Sequence, residues 1–315
     1  MGKINVAYFT SFREIVGDEK VSCIVVDPDT SQNYGYRLGN LEDMALMLTN
    51  PEKHKHPLAS EFAGTFELAM VFSDDPEDKL QAARKAVHRW PLDVNVPNGT
   101  GTVPLEDLLV NIPSSTWRQV KEPLLKIMRK SEYERKIIEE LMKRGVDLII
   151  SDSHLSYLGP DILSAFWLRA LNIHPAITQK DNPDRLPGVT PTRDAYTRSM
   201  YGWVIVDDKK ERETWPLGTP TEVEYKGESH LAIHVPKSNV TGVTVHVMTA
   251  KADDGPVVKC VTHLIPEGAS YEAIRDLNYG FKREFLPAAM LDYVNRPEVR
   301  DLIARKRIKA QTRGL

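Results

Sequence analysis

The sequence predicts an α/β fold: a mostly parallel, Rossmann-like central sheet, doubly wound, with an antiparallel extension. Three observations predict it. Short, nearly continuous apolar runs occur at INVAYF, FELAMVF and VDLIIS, as expected of strands buried on both faces of a parallel sheet. Segments of helical pattern lie between several of them, the alternation that parallel sheets require. After residue 242, GVTVHVMT and PVVKCVTHLI flank the turn KADDG with alternating apolar and polar residues, the pattern of a half-exposed antiparallel pair.

Taken in order, residues 3–9 read as the first strand. Residues 11–65 read as irregular, apart from a short helix around 41–48. A strand over 66–72 follows, then a turn, a helix over 78–89 and a strand over 92–96. PNGTGTVP leads into an irregular helical region reaching about residue 130. Ser131 and Glu134 have the spacing of a capping box and predict a helix start, with Gly145 as its stop. Residues 146–151 form the next strand, Pro160 suits the first turn of a second helix, and LNIH is the strand after it. TRDAYTRSM reads as helix. Residues 203–207 and 230–235 read as two strands of a charged excursion, and helices are expected over 270–293 and 297–309. There is no repeat and no low-complexity linker, so the expectation is one domain over 1–315 with insertions near 28–65, 99–130 and 197–241.

Composition excludes several function classes. The 315 residues are 41% hydrophobic and 27% charged, with a formal net charge of −3. That balance predicts no general affinity for nucleic acid or an anionic membrane. Two cysteines, Cys23 and Cys260, are too few for a disulfide framework and make no CxxC pair. With no signal peptide and no run long enough to span a bilayer, a reducing cytoplasm is the expected location. No metal site is expected. His54 and His56 sit between lysines before Pro57 and read as a solvated loop. Arg305, Lys306 and Arg307 read as the exposed face of the last helix.

The chemistry-bearing stretch is ALNIHPAITQKDNPDRLPGVTPTRD, from Ala170 to Asp194. Asn172 and His174 are two apart on a strand and project to one face. Pro175, Pro183, Pro187 and Pro191 stop the strand and shape the loop beyond it. In open α/β sheets, sites lie beyond the carboxyl ends of strands. His246 projects from a second strand, and Asp253 lies in the DDGP turn after it. A carboxamide, an imidazole and a carboxylate together could stabilise an oxyanion and move a proton. The plainer alternative is a capped strand end and an ordinary hairpin turn.

NIHP at 172–175, PG at 187–188 with Arg193 following, GVTVHVMTAKADDGPVV at 242–258 and VDLIISDSHLSYLGPDIL before them resemble the folate-dependent formyltransferase family. The glycinamide ribonucleotide transformylases are the most similar branch. The resemblance implies a Rossmann-like formyltransferase fold and transfer of a formyl group from 10-formyltetrahydrofolate, as co-substrate, to an amine. It implies that Asn172 and His174 stabilise the oxyanion of the tetrahedral intermediate, with Asp253 orienting and charging His174. Leu155, Ser156, Tyr157 and Leu158 would line the pterin pocket, with Met248, Thr249 and Asp253 on its other wall. Pro175 and His246 would face the acceptor.

The chain departs from that branch after its first strand. YFTSFREIVG has no close pair of glycines to present amides to a phosphate. The enlarged core without a phosphate turn resembles the hydroxyornithine transformylases of siderophore biosynthesis. The expected acceptor is therefore δ-N-hydroxyornithine. The alternatives are glycinamide ribonucleotide and a non-catalytic folate-binding protein. The partners expected are folate and a small acceptor, with no nucleic acid and no membrane.

Overall fold

The computed structural model describes residues 2–11, 23–26, 33–36, 39–76, 93–95, 101–152, 154, 158–188, 190–207 and 218–312. The helix expected over 78–89, the turn after the first strand from Phe12 on, and Leu155, Ser156 and Tyr157 lie outside these residues. The chain divides into two compact units, Met1–Asn172 with Pro287–Leu315, and Ile173–Leu286.

In the first unit, β1 (Ile4–Phe9) pairs in parallel with β4 (Phe66–Ser73) and with β8 (Leu148–Asp152). Every residue of these three strands is buried, which is why their sequence shows no alternation. The outer neighbour of β4 is β7 (Leu109–Asn111), also parallel. That three-residue strand sits inside the segment read as irregular and helical. The strand expected over 92–96 is instead β5 (Asp93–Asn95), which pairs antiparallel with β6 (Thr102–Pro104) in a ribbon of its own. A second hairpin, β2 (Cys23–Val26) with β3 (Asn33–Tyr36), lies in the stretch read as irregular. Helices α1 (Asn40–Thr49) and α2 (Ala59–Thr65) precede β4.

After a four-residue helix, α3 (Ser115–Arg118), the long helix α4 runs over Pro123–Lys143. It starts eight residues before the expected capping box. Glu122 is the cap: its carboxylate accepts the amides of Leu124 and Leu125, with Pro123 at the first helical position. Ser131 and Glu134 are interior to the helix. The Ser131 hydroxyl donates to Asp161, and the Glu134 carboxylate accepts the Asp161 amide at 3.3 Å. The pair therefore caps nothing in α4; Glu134 meets the start of the next helix, α5 (Pro160–Ala165). Tyr133, Ile137 and Leu141 form the buried face of α4, where loss of the Leu141 side chain would cost about 2–5 kcal/mol.

β9 (Ala170–His174) lies beside β8, and the first unit ends at Asn172 on this strand. In the second unit, α6 (Pro191–Tyr201) leads into a separate three-stranded antiparallel sheet. Its order is β10 (Trp203–Ile205), β12 (Glu228–His234), β11 (Thr221–Tyr225). Trp203, Ile205 and Ala232 are buried on one face of it, and Val204, Val206 and Ile233 on the other. β13 (Val240–Val247) and β14 (Val257–Leu264) form the expected antiparallel pair. Helix α7 spans Tyr271–Val294 and α8 spans Pro297–Thr312.

The last helix corrects one expectation. Arg305 is exposed beside Asp301, but Lys306 and Arg307 turn inward to Asp147, a carboxylate 1% exposed that also accepts the Asn5 amide at 3.1 Å. A buried carboxylate needs compensating charge. The basic run is therefore a clamp between the C-terminal helix and the strands β1 and β8, and only its first residue is a solvated face.

Candidate active site

β9 presents Asn172 and His174 on the same face, as their two-residue spacing requires. Asn172 is half-buried and His174 is 6% exposed. The His174 ring is held at both nitrogens. Nε2 lies 3.1 Å from the carbonyl of Leu186, and Nδ1 lies 3.4 Å from Oδ1 of Asp253. His246 is equally enclosed. Its Nδ1 is 3.1 Å from the Val247 carbonyl, and its Nε2 is 3.4 Å from the same Oδ1 of Asp253. The other carboxylate oxygen, Oδ2, accepts the Gly188 amide at 3.0 Å. His174, His246 and Asp253 are thus brought together, as the sequence expects.

Local sequence explains each placement. The β13–β14 ladder changes register between Val245 and His246, pairing Val245 with Lys259 but His246 with Val257. Such a bulge re-aims a side chain at the end of a strand. Asp253 has φ of +52°, a left-handed conformation that aspartate tolerates better than most residues. Two positions on, a Cβ on Gly255 would lie 1.7 Å from the Val247 carbonyl oxygen, so the turn needs glycine there. Gly188 has φ of +105°, open only to glycine, and that conformation supplies the amide bound to Asp253.

The hydrogen-bond pattern assigns the protons. A ring nitrogen facing a carbonyl must carry hydrogen, so His174 is protonated at Nε2 and His246 at Nδ1. In the neutral rings, the remaining nitrogen of each imidazole faces Asp253 Oδ1 with a lone pair, and a proton added to either ring closes that ring's contact with the carboxylate. Burial pushes the His174 imidazolium down; Asp253 pulls it up without cancelling that, and the charges of His246 and Lys282 add to the depression. Burial alone would raise the Asp253 carboxyl, but the charge of His174, the hydrogen bond from His246 and the Gly188 amide outweigh it and hold it well below the usual carboxylate range. The two directions are compatible, because the acid titrates beside charged imidazoles and the imidazole beside an ionised acid.

Of the other expected residues, Pro175 is half-buried and its carbonyl accepts the Asn278 side-chain amide at 3.0 Å. Met248 and Thr249 follow β13 half-buried, and the Thr249 hydroxyl donates to the Lys251 carbonyl. Leu158 is buried in the first unit. A groove of about 730 Å³ is lined by Thr178, Lys180, Pro183, Asp254 and Pro256 among others. It abuts the DDGP turn, but neither His174 nor Asp253 lines it.

Sequence reasoning missed Asn278, 0% exposed on α7, and gave no role to Lys282 four residues on, which is 1% exposed. A signal was present: Ile274, Asn278 and Lys282 are spaced by four and share one helical face, so a buried apolar residue is followed by two polar ones. Among the described residues, no group of three or more His, Cys, Asp or Glu side chains is arranged to hold a metal ion, and no helix is long and apolar enough to cross a membrane.

No family model matches the chain, and no curated protein matches it in sequence. Solved structures do. One, described as PvdF of pyoverdin biosynthesis, a structurally unique N10-formyltetrahydrofolate-dependent formyltransferase, is 24% identical and covers 93% of this chain and 98% of its own, with a TM-score of 0.62. Phosphoribosylglycinamide formyltransferase from Bacillus halodurans is 16% identical over 93% and 96% of the two chains, with a TM-score of 0.48. Glycinamide ribonucleotide transformylase 1 from Symbiobacterium toebii is 17% identical over 91% and 86%, with a TM-score of 0.49. The first of these likenesses, running through almost the whole of both chains, identifies the architecture: this chain has the formyltransferase fold.

Proposed function

We propose that the chain is a 10-formyltetrahydrofolate-dependent N-formyltransferase. The observation that carries the reading is the meeting of His174 Nδ1 and His246 Nε2 on one Asp253 oxygen, at the end of a strand that also bears Asn172. Formyl transfer needs two services from a protein, donors for an oxyanion and a path for protons. The acceptor nitrogen bonds to the formyl carbon while the carbonyl electron pair moves onto oxygen. Collapse of that oxyanion breaks the bond from carbon to N10 of the folate; N10 gains a proton and the acceptor nitrogen loses one.

In this reading the Asn172 carboxamide donates to the oxyanion, a contact worth about 3 kcal/mol in a transition state. His174 donates from Nε2 by sharing that hydrogen between the Leu186 carbonyl and the oxyanion. His174 Nδ1, beside Asp253, receives the proton released by the acceptor and returns it to the leaving nitrogen. Asp253 remains ionised throughout, because its carboxyl is held far below neutrality. It works through charge and orientation. Leu155, Ser156, Tyr157, Leu158, Met248 and Thr249 contact the folate.

The acceptor proposed is a hydroxylamine, δ-N-hydroxyornithine. An imidazole held below its ordinary range is a weak base, which suits a nitrogen already unprotonated at neutral pH better than an alkylammonium. The enlarged chain and the likeness to a formyltransferase of pyoverdin biosynthesis support the same acceptor. The test is an acceptor screen with the purified protein and 10-formyltetrahydrofolate. Consumption with δ-N-hydroxyornithine and not with ornithine or glycinamide ribonucleotide is expected. Equal turnover with glycinamide ribonucleotide overturns the acceptor, and folate binding without turnover on any acceptor overturns the enzyme.

A further inference from the structure

Two polar contacts run from β14 through α7 to the residue following His174. The His263 ring, on β14, stacks nearly flat on Phe281, with centroids 4.1 Å apart and planes 9° apart. Its Nε2 is 2.9 Å from Oδ1 of Asn278. The amide nitrogen of Asn278 donates to the carbonyl of Pro175 at 3.0 Å. Asn278 is fully buried, so its amide would be left without water if either partner were lost. The arrangement also fixes which way the amide points: nitrogen to the carbonyl, oxygen to the imidazole N–H.

The Pro175 carbonyl matters because proline has no N–H with which to be held. Beyond His174 the strand exit is secured one carbonyl at a time. Asn278 takes that of Pro175, the Thr244 hydroxyl takes that of Ala176, and the Leu186 amide takes that of Ile177. The Leu186 carbonyl in turn holds His174 Nε2. The backbone around the imidazole is therefore clamped immediately on its C-terminal side by a side chain from a helix distant in sequence. The same helix carries Lys282 one turn further on, where its charge acts on His174.

We infer that Asn278, oriented by His263, is a positioning residue for His174, setting the angle at which the imidazole meets Asp253. The role rests on the formyl-transfer reading for its effect on turnover, but the geometry it sets is independent of that reading. The groups facing His174 are Asp253, His246 and Lys282, and a tilt of the ring changes its distance to all three. Removing the Asn278 amide frees the Pro175 carbonyl and the strand exit, and misplacement of a reacting group by about 1 Å can cost a hundredfold in rate. His263 enters only through its N–H, which a glutamine amide can replace.

The test titrates the His174 ring by NMR, alongside turnover, in the wild type, Asn278→Ala, His263→Leu and His263→Gln. In Asn278→Ala and His263→Leu the His174 midpoint is expected to move by about half a unit or more and kcat to fall about tenfold or more. KM for the folate should stay within about twofold, and His263→Gln should behave as wild type. An unmoved His174 midpoint in folded Asn278→Ala overturns the inference. So does equal impairment of His263→Gln and His263→Leu, a pair that decides the matter even where the alanine variant does not fold. A wild type without turnover would sink the formyl-transfer reading alone, since the ring titration needs no substrate.

Discussion

The Nδ1 of His174 and Oδ1 of Asp253 are 3.4 Å apart, longer than the 2.7–2.9 Å or so of a charge-assisted hydrogen bond. The contact is open, and a proton would close it. Asp253→Asn keeps the shape of the side chain and removes the charge that makes the proton welcome. Turnover is expected to fall about 10²–10³-fold while the folate dissociation constant, measured by fluorescence, changes little. Turnover within threefold of wild type would remove Asp253 from the mechanism.

The pH dependence follows from His174. Burial holds its imidazolium below the ordinary histidine range, so the neutral ring that accepts a proton persists to lower pH than for an exposed histidine. The rate kcat/KM should therefore be flat at neutral pH and fall on the acid side with a midpoint below about 6.5. Stability carries the same sign. The unfolded chain binds the proton more tightly, so this contribution is lost as pH falls from about 6.5 through the folded value. A rate falling already between pH 7 and 8 on the acid side would contradict the burial argument.

Asn172→Ala removes the carboxamide that β9 carries two residues before His174. A loss of about a hundredfold in kcat, with folate affinity retained, is expected of an oxyanion donor. Stopped-flow single-turnover measurement would separate this from slower product release.

Much of this was legible in the chain and some could not be. Fully buried strands announced themselves because β1, β4 and β8 have no wet face to alternate with. The NIHP and DDGP motifs carried the site because their chemistry is local: a strand end and a turn. What sequence does not carry is partnership over distance. Asp147 and Arg307 are 160 residues apart, so a basic run that pairs inward reads like one that faces water. Nothing near His263 in sequence points to Asn278, which meets it only once β14 and α7 have packed. The start of α4 was misread because Ser131 and Glu134 have capping-box spacing within a helix already under way from Pro123. The bond that matters there runs from the Asp161 amide to Glu134.

Gly255→Ala tests the turn that carries Asp253. The new methyl would sit against the Val247 carbonyl oxygen, and forcing it in should cost at least about 1–3 kcal/mol. Thermal unfolding should show the loss, and turnover should fall further than stability alone explains, because Asp253 moves with the turn.

Lys306 offers a test remote from the site. Burial pushes its ammonium down to about 8, against the pull of Asp147. Between that value and about 10.5 the unfolded chain holds the proton more tightly, so stability from this group rises with pH across that window. The increment is roughly 3 kcal/mol. Lys306→Met should lack it. Urea unfolding at pH 7.5 and 10 would therefore give a wild-type-minus-variant difference that grows with pH, and a constant difference would mean that Lys306 is solvated.

The register change in the β13–β14 hairpin has a further consequence. Val258 is the odd residue between two counts, the outer ladder from Val240–Leu264 to Val245–Lys259 and the inner pair His246–Val257. Substitution leaves both counts intact. Deleting one residue does not: either the ladder or the turn must slip, and a slip of one turns every side chain to the opposite face. The hairpin behaves as a ruler, forgiving in what it is made of and strict in how long it is.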